Sequence, residues 1–181
     1  MYSIRSRQSA QVRSGYATSS DLCGNFVEDL QPLYLLAFLL TGSSAEAEQC
    51  FVATVDDAIT ANGVFKGWER SWNKRCLIIN AIRRVFLAPT PSGGKRDTES
   101  ELGVESRGHP VIDAVARLAP PLQRFVFVIS VLEGYSEHEC ALLLGRTPRD
   151  VREARTYALW QFAGLTPAMA KIRRQPQSYG S

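Results

Sequence analysis

The chain has 181 residues, of which 45% are hydrophobic and 22% charged, and its formal net charge is +3. This size and apolar content suit one ordinary domain or two small ones, and they exclude a chain that is disordered throughout. The longest uncharged apolar run, residues 33–40, is too short to cross a bilayer, so no membrane insertion is expected.

Residues 1–25 are predicted to form a flexible basic arm. The first 20 residues carry Arg5, Arg7 and Arg13 without any acid, and they are rich in serine. They lack the apolar central block of a secretory signal, which argues against that kind of leader. A second basic tail is predicted at residues 166–181.

Apolar periodicity predicts three helices in a first helical domain that covers residues 26–87. The first helix covers residues 26–40 and the second residues 44–60, with Gly42 in the break between them. The third covers residues 65–86 and combines an apolar stripe with six Lys and Arg residues. It is therefore expected to be a basic amphipathic helix.

Residues 88–108 are predicted to be a flexible linker, because Pro, Gly, Ser and charged residues replace the periodic apolar positions there. A second helical domain then covers residues 109–165. Its segment 121–134 is ambiguous by composition, since Phe, Val and Ile favour strands, but Pro121 at its start and Gly134 at its end favour a buried helix. The fold class predicted is all-α, with two small helical domains joined by a flexible linker.

The second domain contains the pattern of a helix-turn-helix. Two capping boxes mark the helix starts, because in each a side-chain oxygen can satisfy an unpaired N–H. A glycine between them can supply the left-handed turn. These residues are Ser136 with Glu139, Thr147 with Asp150, and Gly145. Ala141 and Val151 are expected to pack where the helices meet, so the outer face of the second helix is free to meet base edges and phosphates. The alternative is an ordinary helical hairpin with a solvated charged face.

Charge is segregated along the chain. Residues 26–65 hold six acids and no Lys or Arg, whereas residues 66–96 hold eight basic residues and one acid. From residue 146 onward, seven basic residues accompany two acids. This distribution predicts two surfaces for phosphate backbones and an acidic surface for a basic protein partner.

The helix-turn-helix pattern lies within a longer stretch, LAPPLQRFVFVISVLEGYSEHECALLLGRTPRDVREARTYAL. This stretch resembles the fourth region of the small bacterial sigma factors of the extracytoplasmic-function type, which recruit RNA polymerase to promoters. The stretches LYLLAFLLTGSSAEAEQ and FKGWERSWNKRCLIINAIRR resemble that family's second region, which grips polymerase and melts promoter DNA. The resemblance implies a promoter-specific transcription initiation factor whose partners are promoter DNA and core RNA polymerase. It also allows an anti-sigma factor as a partner.

The resemblance assigns roles to three sets of residues. The upstream promoter element would be contacted by Arg146, Thr147, Arg149, Asp150, Arg152, Glu153, Arg155 and Thr156. The downstream element and its melted strand would be contacted by Trp72, Lys74, Arg75, Asn80, Arg83 and Arg84. A basic coiled coil of polymerase would be bound by Glu46, Glu48, Gln49, Val52, Ala53 and Asp56. Trp68 is expected to pack in the core instead.

Two departures from the family pattern support an alternative function. Residues 49–55 are QCFVATV, where the family usually has an Asp-Leu-Val-Gln-Glu-Thr-Phe string for polymerase binding. Cys76 and Asn80 stand where asparagine and aspartate are usual. The alternative is a sigma-like regulator that binds DNA or a partner but no longer supports initiation. A third candidate is a plain repressor that binds DNA through its second domain alone.

An enzyme is not expected from this sequence. His109 and His138 stand apart from any nucleophile or metal-ligand pattern. Four cysteines lie far apart without the spacing of a metal site, so reduced, buried thiols in a cytoplasmic protein are predicted. No metal or other cofactor is expected.

Overall fold

The computed structural model describes residues 15–87 and 110–164. Within these two segments every regular element is a helix, which confirms the all-α prediction for this part of the chain. The first segment holds α1 (Ser19–Glu28), α2 (Leu30–Thr41), α3 (Ser44–Thr60) and α4 (Glu69–Ile82), which continues as a π-helical turn over Arg83–Leu87. The second holds α5 (Pro110–Ala116), α6 (Pro121–Phe127) with a π-helical turn over Val128–Leu132, α7 (Glu137–Leu144) and α8 (Pro148–Phe162).

The predicted arm over residues 1–25 is wrong at its C-terminal end, because α1 already begins at Ser19. Thr18 and Asp21 form a capping box there: the Thr18 side chain accepts from the Asp21 N–H, and the Asp21 carboxylate accepts from the Thr18 N–H. Leu22 is fully buried and anchors this helix in the core. The rest of the predicted arm, the predicted linker and the predicted basic tail lie outside the described residues.

The single helix predicted over residues 26–40 is also wrong, because Asp29 separates α1 from α2. Pro32 is the physical reason. In one continuous helix its missing N–H would leave the Glu28 carbonyl without a partner, and its ring would clash with that carbonyl. The chain instead ends α1 before Asp29 and places Pro32 in the first turn of α2, where prolines are tolerated.

Residues 121–132 are helical, and Gly134 follows the end of this helix, as the sequence predicted. Pro121 begins α6, and Gly134 has a φ of +75°, in the left-handed region that ends helices. The side chains between them supply much of the core, including the fully buried Phe125 and Ile129. Burial on several faces explains why this run has no clear apolar period.

The two described segments pack against each other through α2, which contacts α3 and α4 on one side and α5 and α6 on the other. The buried side chains of both segments form one continuous cluster. At the junction the rings of Phe86 and Phe125 meet edge to face, with centroids 5.2 Å apart. Among the described residues, no helix is long and apolar enough to span a bilayer.

Candidate nucleic-acid interface

Helices α7 and α8 form a tight pair whose geometry matches the sequence prediction. Both predicted capping boxes are present, and Gly145 turns the chain with a φ of +60°. The Arg146 N–H donates to the Ala141 carbonyl over 3.0 Å, which closes the end of α7. Ala141 and Val151 are buried where the helices meet. The outer face of α8 is left exposed to solvent.

Two of the α8 arginines that were assigned to DNA are held by acids of the same pair of helices. Arg152 makes two hydrogen bonds with the Glu137 carboxylate, at 2.7 and 3.2 Å, and Arg149 pairs with Glu153 one turn along. The hydrogen bonds from Arg152 hold the pKa of Glu137 below its ordinary range. Arg155 lies 4.0 Å from the same carboxylate. Each pair occupies part of the donor set of its guanidinium, so Glu137 and Glu153 would compete with a phosphate or a base for these arginines.

Arg146, at the start of α8, has no ion pair within the described segments, and its side chain is exposed. The neighbouring Thr147 hydroxyl and Asp150 carboxylate are occupied in the capping box. The Thr156 hydroxyl donates back to the Arg152 carbonyl, one turn earlier. Of the residues assigned to the upstream element, Arg146 is thus the one most ready to meet a phosphate.

The basic face of α4 is narrower than the sequence predicted. Arg75 and Arg83 are exposed, and Lys74 is half-exposed but lies 2.7 Å from the Glu133 carboxylate of the second segment. Asn80 does not belong to this face: it is buried and donates to the Thr54 hydroxyl and the Asp57 carboxylate. Because those partners come from α3, Asn80 joins two helices inside the fold and is not part of the exposed face of α4.

Arg84 was also assigned to DNA, and the structure places it on the other side of α4. Its guanidinium donates to the Gln49 side chain and lies 3.5 Å from the Glu46 carboxylate. It thereby lines a shallow groove on α3 together with Glu48, Gln49, Val52, Ala53 and Asp56. The residues predicted to bind polymerase are thus gathered on one surface, with Arg84 added to them.

Trp68 was predicted to lie in the core and Trp72 on the DNA-facing surface, and the structure shows the reverse pattern of burial. Trp72 is half-buried against the core, whereas Trp68 is 68% exposed. The prediction that Trp68 packs in the core is wrong because α4 begins at Glu69, so Trp68 lies in the preceding turn and not on the apolar stripe. The backbone N–H of Trp68 donates to the Phe65 carbonyl, and this hydrogen bond closes the turn.

Tyr16 and Phe65 form an exposed aromatic stack beside this turn, and together with the exposed Trp68 of the turn itself they are called the aromatic platform. The rings of Tyr16 and Phe65 stack with centroids 5.0 Å apart, and an antiparallel bridge joins their backbones. Phe65 is 56% exposed, and the side chain of Lys66 is exposed beside it. Sequence reasoning missed this platform because Tyr16 lies in the predicted arm, about 50 residues away along the chain, and only the fold brings it to Phe65.

The cysteines are free thiols, of which Cys50 and Cys140 are buried, as predicted, and Cys23 and Cys76 half-buried. Burial raises the pKa of Cys50, Cys76 and Cys140 to about 11, so these thiols are protonated at neutral pH. Across residues 15–87 and 110–164, no cluster of His, Cys, Asp and Glu side chains is arranged to hold a metal ion.

The chain matches no protein-family model and no curated protein.

Proposed function

We propose that this protein is a sigma-like transcription initiation factor, which binds core RNA polymerase and directs it to promoters by sequence-specific DNA contacts. The observation that carries the proposal is the capped α7–α8 pair, whose turn, buried contact and exposed second helix have the form that places a helix in the major groove. Two further surfaces on the first segment support it. They are the aromatic platform beside basic side chains and the groove on α3.

The α8 face would read the upstream promoter element. Its arginines are long, exposed and paired with acids on the protein surface, where ion pairs are weak and readily exchanged. Near DNA, phosphates and guanine edges compete for the same guanidinium groups, and an Arg–guanine pair gives about 1–3 kcal/mol of discrimination.

The aromatic platform and α4 would hold a melted DNA strand. Exposed rings stack on unpaired bases whatever the sequence, whereas paired bases are not available to them. Lys66 and Arg75 would meet the phosphates that flank the stacked bases. The exposed rings leave apolar surface in contact with water in the free protein, and a bound unpaired strand would cover that surface.

The groove on α3 would bind the basic partner, core polymerase. Val52, which is 59% exposed, and Ala53 supply apolar side chains to its lining, and Glu48 and Asp56 supply carboxylates. Protein interfaces usually combine apolar side chains with charged and polar ones around them, and the groove offers both kinds. The acids would speed the encounter with a basic surface, while the apolar contacts would supply affinity.

The decisive experiment is in vitro transcription with core polymerase on a library of genomic fragments. An initiation factor gives discrete start sites that depend on this protein, and their upstream sequences define the promoter. Transcription no different from core polymerase alone, together with retained DNA binding, would contradict initiation and leave the regulator.

The regulator that no longer supports initiation is favoured by one specific observation. The α3 groove is lined by Val52 and Ala53 where the resembling family has an amide and an acid. If polymerase requires those polar partners, its coiled coil would not be retained by this groove. A pull-down with core polymerase separates the two functions, because a regulator would bind DNA and leave core polymerase in the unbound fraction.

Replacing Val52 by Lys is expected to weaken association with core polymerase about tenfold, since it places a positive charge on an apolar contact with a basic partner. Ile59→Lys is the matched control, because Ile59 is 54% exposed on the same helix but outside the groove. Titration of labelled protein with core polymerase gives both affinities. Equal weakening by the two variants would argue against the groove as the docking surface.

Replacing Arg146 by Ala is expected to weaken duplex binding about fivefold. The slope of log K against log salt concentration should become less steep by about one, because one phosphate contact is lost. Arg149→Ala should have a smaller effect, because the Glu153 carboxylate competes with phosphate for Arg149. Binding isotherms of both variants at several salt concentrations test this order. A larger loss of duplex affinity for Arg149→Ala than for Arg146→Ala would contradict this order and show that Glu153 does not limit the contribution of Arg149.

A further inference from the structure

Besides the shared apolar core, hydrogen bonds from Arg124 of α6 join the second described segment to the first. The Arg124 Nη2 donates to the Thr41 carbonyl over 2.7 Å and its Nε to the Leu40 carbonyl over 3.2 Å. The same guanidinium reaches back to the Ala116 carbonyl of α5 at 3.3 Å. The last carbonyls of a helix lack partners within the helix and carry partial negative charge, so a guanidinium is well suited to them.

Gly42 makes this close approach feasible. A Cβ built on Gly42 would lie 2.6 Å from Nη1 of Arg124, closer than real contacts allow. The residue also has a φ of +75°, which ends α2 and turns the chain toward α3. The end of α2 therefore supplies the carbonyls that bind Arg124, and it also forms the turn between α2 and α3.

A second polar contact falls on the surface proposed to bind DNA. Lys74 lies on α4, and its ammonium is 2.7 Å from the Glu133 carboxylate, whose side chain is only 18% exposed. Within the described residues this is the ion pair that joins the two segments. One of the cations available to a phosphate is thus occupied by the other half of the same chain.

We propose that this docked arrangement is an autoinhibited state, in which the second segment withholds Lys74 from single-stranded DNA and Arg124 fastens the two segments together. A bound strand and Glu133 compete for the same ammonium, so strand binding and docking oppose each other. The inference rests on the proposed function, since it requires that the α4 surface binds a melted strand. It adds that the free protein is held in a form with lower affinity.

Docking can be measured without DNA by zero-length carbodiimide coupling, which joins an amine to a carboxylate only when the two are in contact. The free protein is expected to give a cross-link between Lys74 and Glu133, identified by mass spectrometry of the digested chain. Adding a random-sequence single strand of about 20 nucleotides, longer than the stretch one such surface covers, should lower its yield. An unchanged yield at saturating strand would overturn the competition.

Glu133→Gln tests the inhibition itself, because the amide keeps the shape of the side chain but removes the negative charge that holds Lys74. This variant should bind the single strand about two- to fivefold more tightly than the unmodified protein. Its log K should also depend more steeply on log salt, by about 0.7 for one added phosphate contact. Asp113→Asn is the matched control: it removes the same charge from the second segment, at a carboxylate that makes no ion pair in the described structure.

The outcomes separate this inference from the proposed function. Tighter binding by Glu133→Gln alone supports autoinhibition, whereas equal affinities for the two variants would overturn it and leave DNA binding intact. If neither the unmodified protein nor Glu133→Gln binds a strand at low salt, the proposed DNA function fails and the inhibitory role fails with it. The cross-link in the free protein would then report only that the two segments dock.

Discussion

Replacing Phe125 by Ala is expected to lower the free energy of unfolding by about 3–5 kcal/mol. Phe125 is fully buried in α6, and its ring meets Phe86 at the junction of the two segments. Truncation removes the transfer free energy of the ring and leaves a cavity, which the surrounding helices fill only in part. Since small proteins are stable by only about 5–15 kcal/mol, this variant is expected to unfold in mild denaturant.

Urea unfolding monitored by tryptophan fluorescence measures this loss. Trp160 reports on α8, which packs against α6, whereas Trp68 and Trp72 report on the first segment. Phe65→Ala is the matched control, because its ring is more than half exposed and its truncation should cost much less. A loss below about 1 kcal/mol for Phe125→Ala would mean that the Phe125 ring does not fill the core between α6 and α2.

Local chemistry made the second half of the chain predictable. A capping box needs only two residues three positions apart, so Ser136 with Glu139 could be recognised without any knowledge of the fold. Gly145 is likewise fixed by its own backbone conformation. Interactions within one turn of a helix depend on adjacent residues alone, and these predictions were confirmed.

Predictions that depended on distant partners were less successful. The family resemblance assigns Asn80 to the DNA-facing set, but Thr54 and Asp57 of α3 accept hydrogen bonds from its amide inside the fold. The pairing of Arg152 with Glu137 joins two helices in the same way. A sequence shows which groups can form such bonds, and only the packing of helices decides which of them meet.

The exchange of the two tryptophans has a local cause that the sequence did show. Gly67, with a φ of +88°, keeps the chain out of the helix until Glu69, so the helical period cannot be extended back to Phe65. Counting the period from Phe65 gave Trp68 a core position that the real start of α4 denies it. The break at Pro32 was similarly visible, since proline beyond the first turn of a helix is disfavoured.

The proposed DNA binding and the proposed autoinhibition depend on the same few Lys and Arg side chains. Arg152 and Lys74 are each held by a carboxylate, from Glu137 and Glu133, while Arg146 and Arg75 have no such partner in the described structure. If the protein binds DNA as proposed, Arg146 and Arg75 would be the first cations to meet phosphates. Arg152 and Lys74 would add contacts in competition with their own carboxylates.

Replacing Trp68 by Ala is expected to weaken the binding of single-stranded DNA by about 1–3 kcal/mol, which is about 5- to 150-fold in Kd. Its ring is the most exposed of the aromatic platform and packs least against the core, so the free energy of unfolding should change little. Fluorescence titration with single and double strands of one sequence, at one salt concentration, measures the effect. The duplex affinity should stay nearly constant, because paired bases offer no face to stack on.

Trp72→Ala is the control that distinguishes stacking from a general loss of structure. Trp72 is half-buried against the core, so its truncation should lower stability and reduce binding only as far as the protein unfolds. Trp68→Phe should keep part of the affinity, since a smaller ring still presents a stacking face. If Trp68→Ala weakened single-strand and duplex binding equally, the platform would not act by stacking, and melted DNA would have to be held by α4 alone.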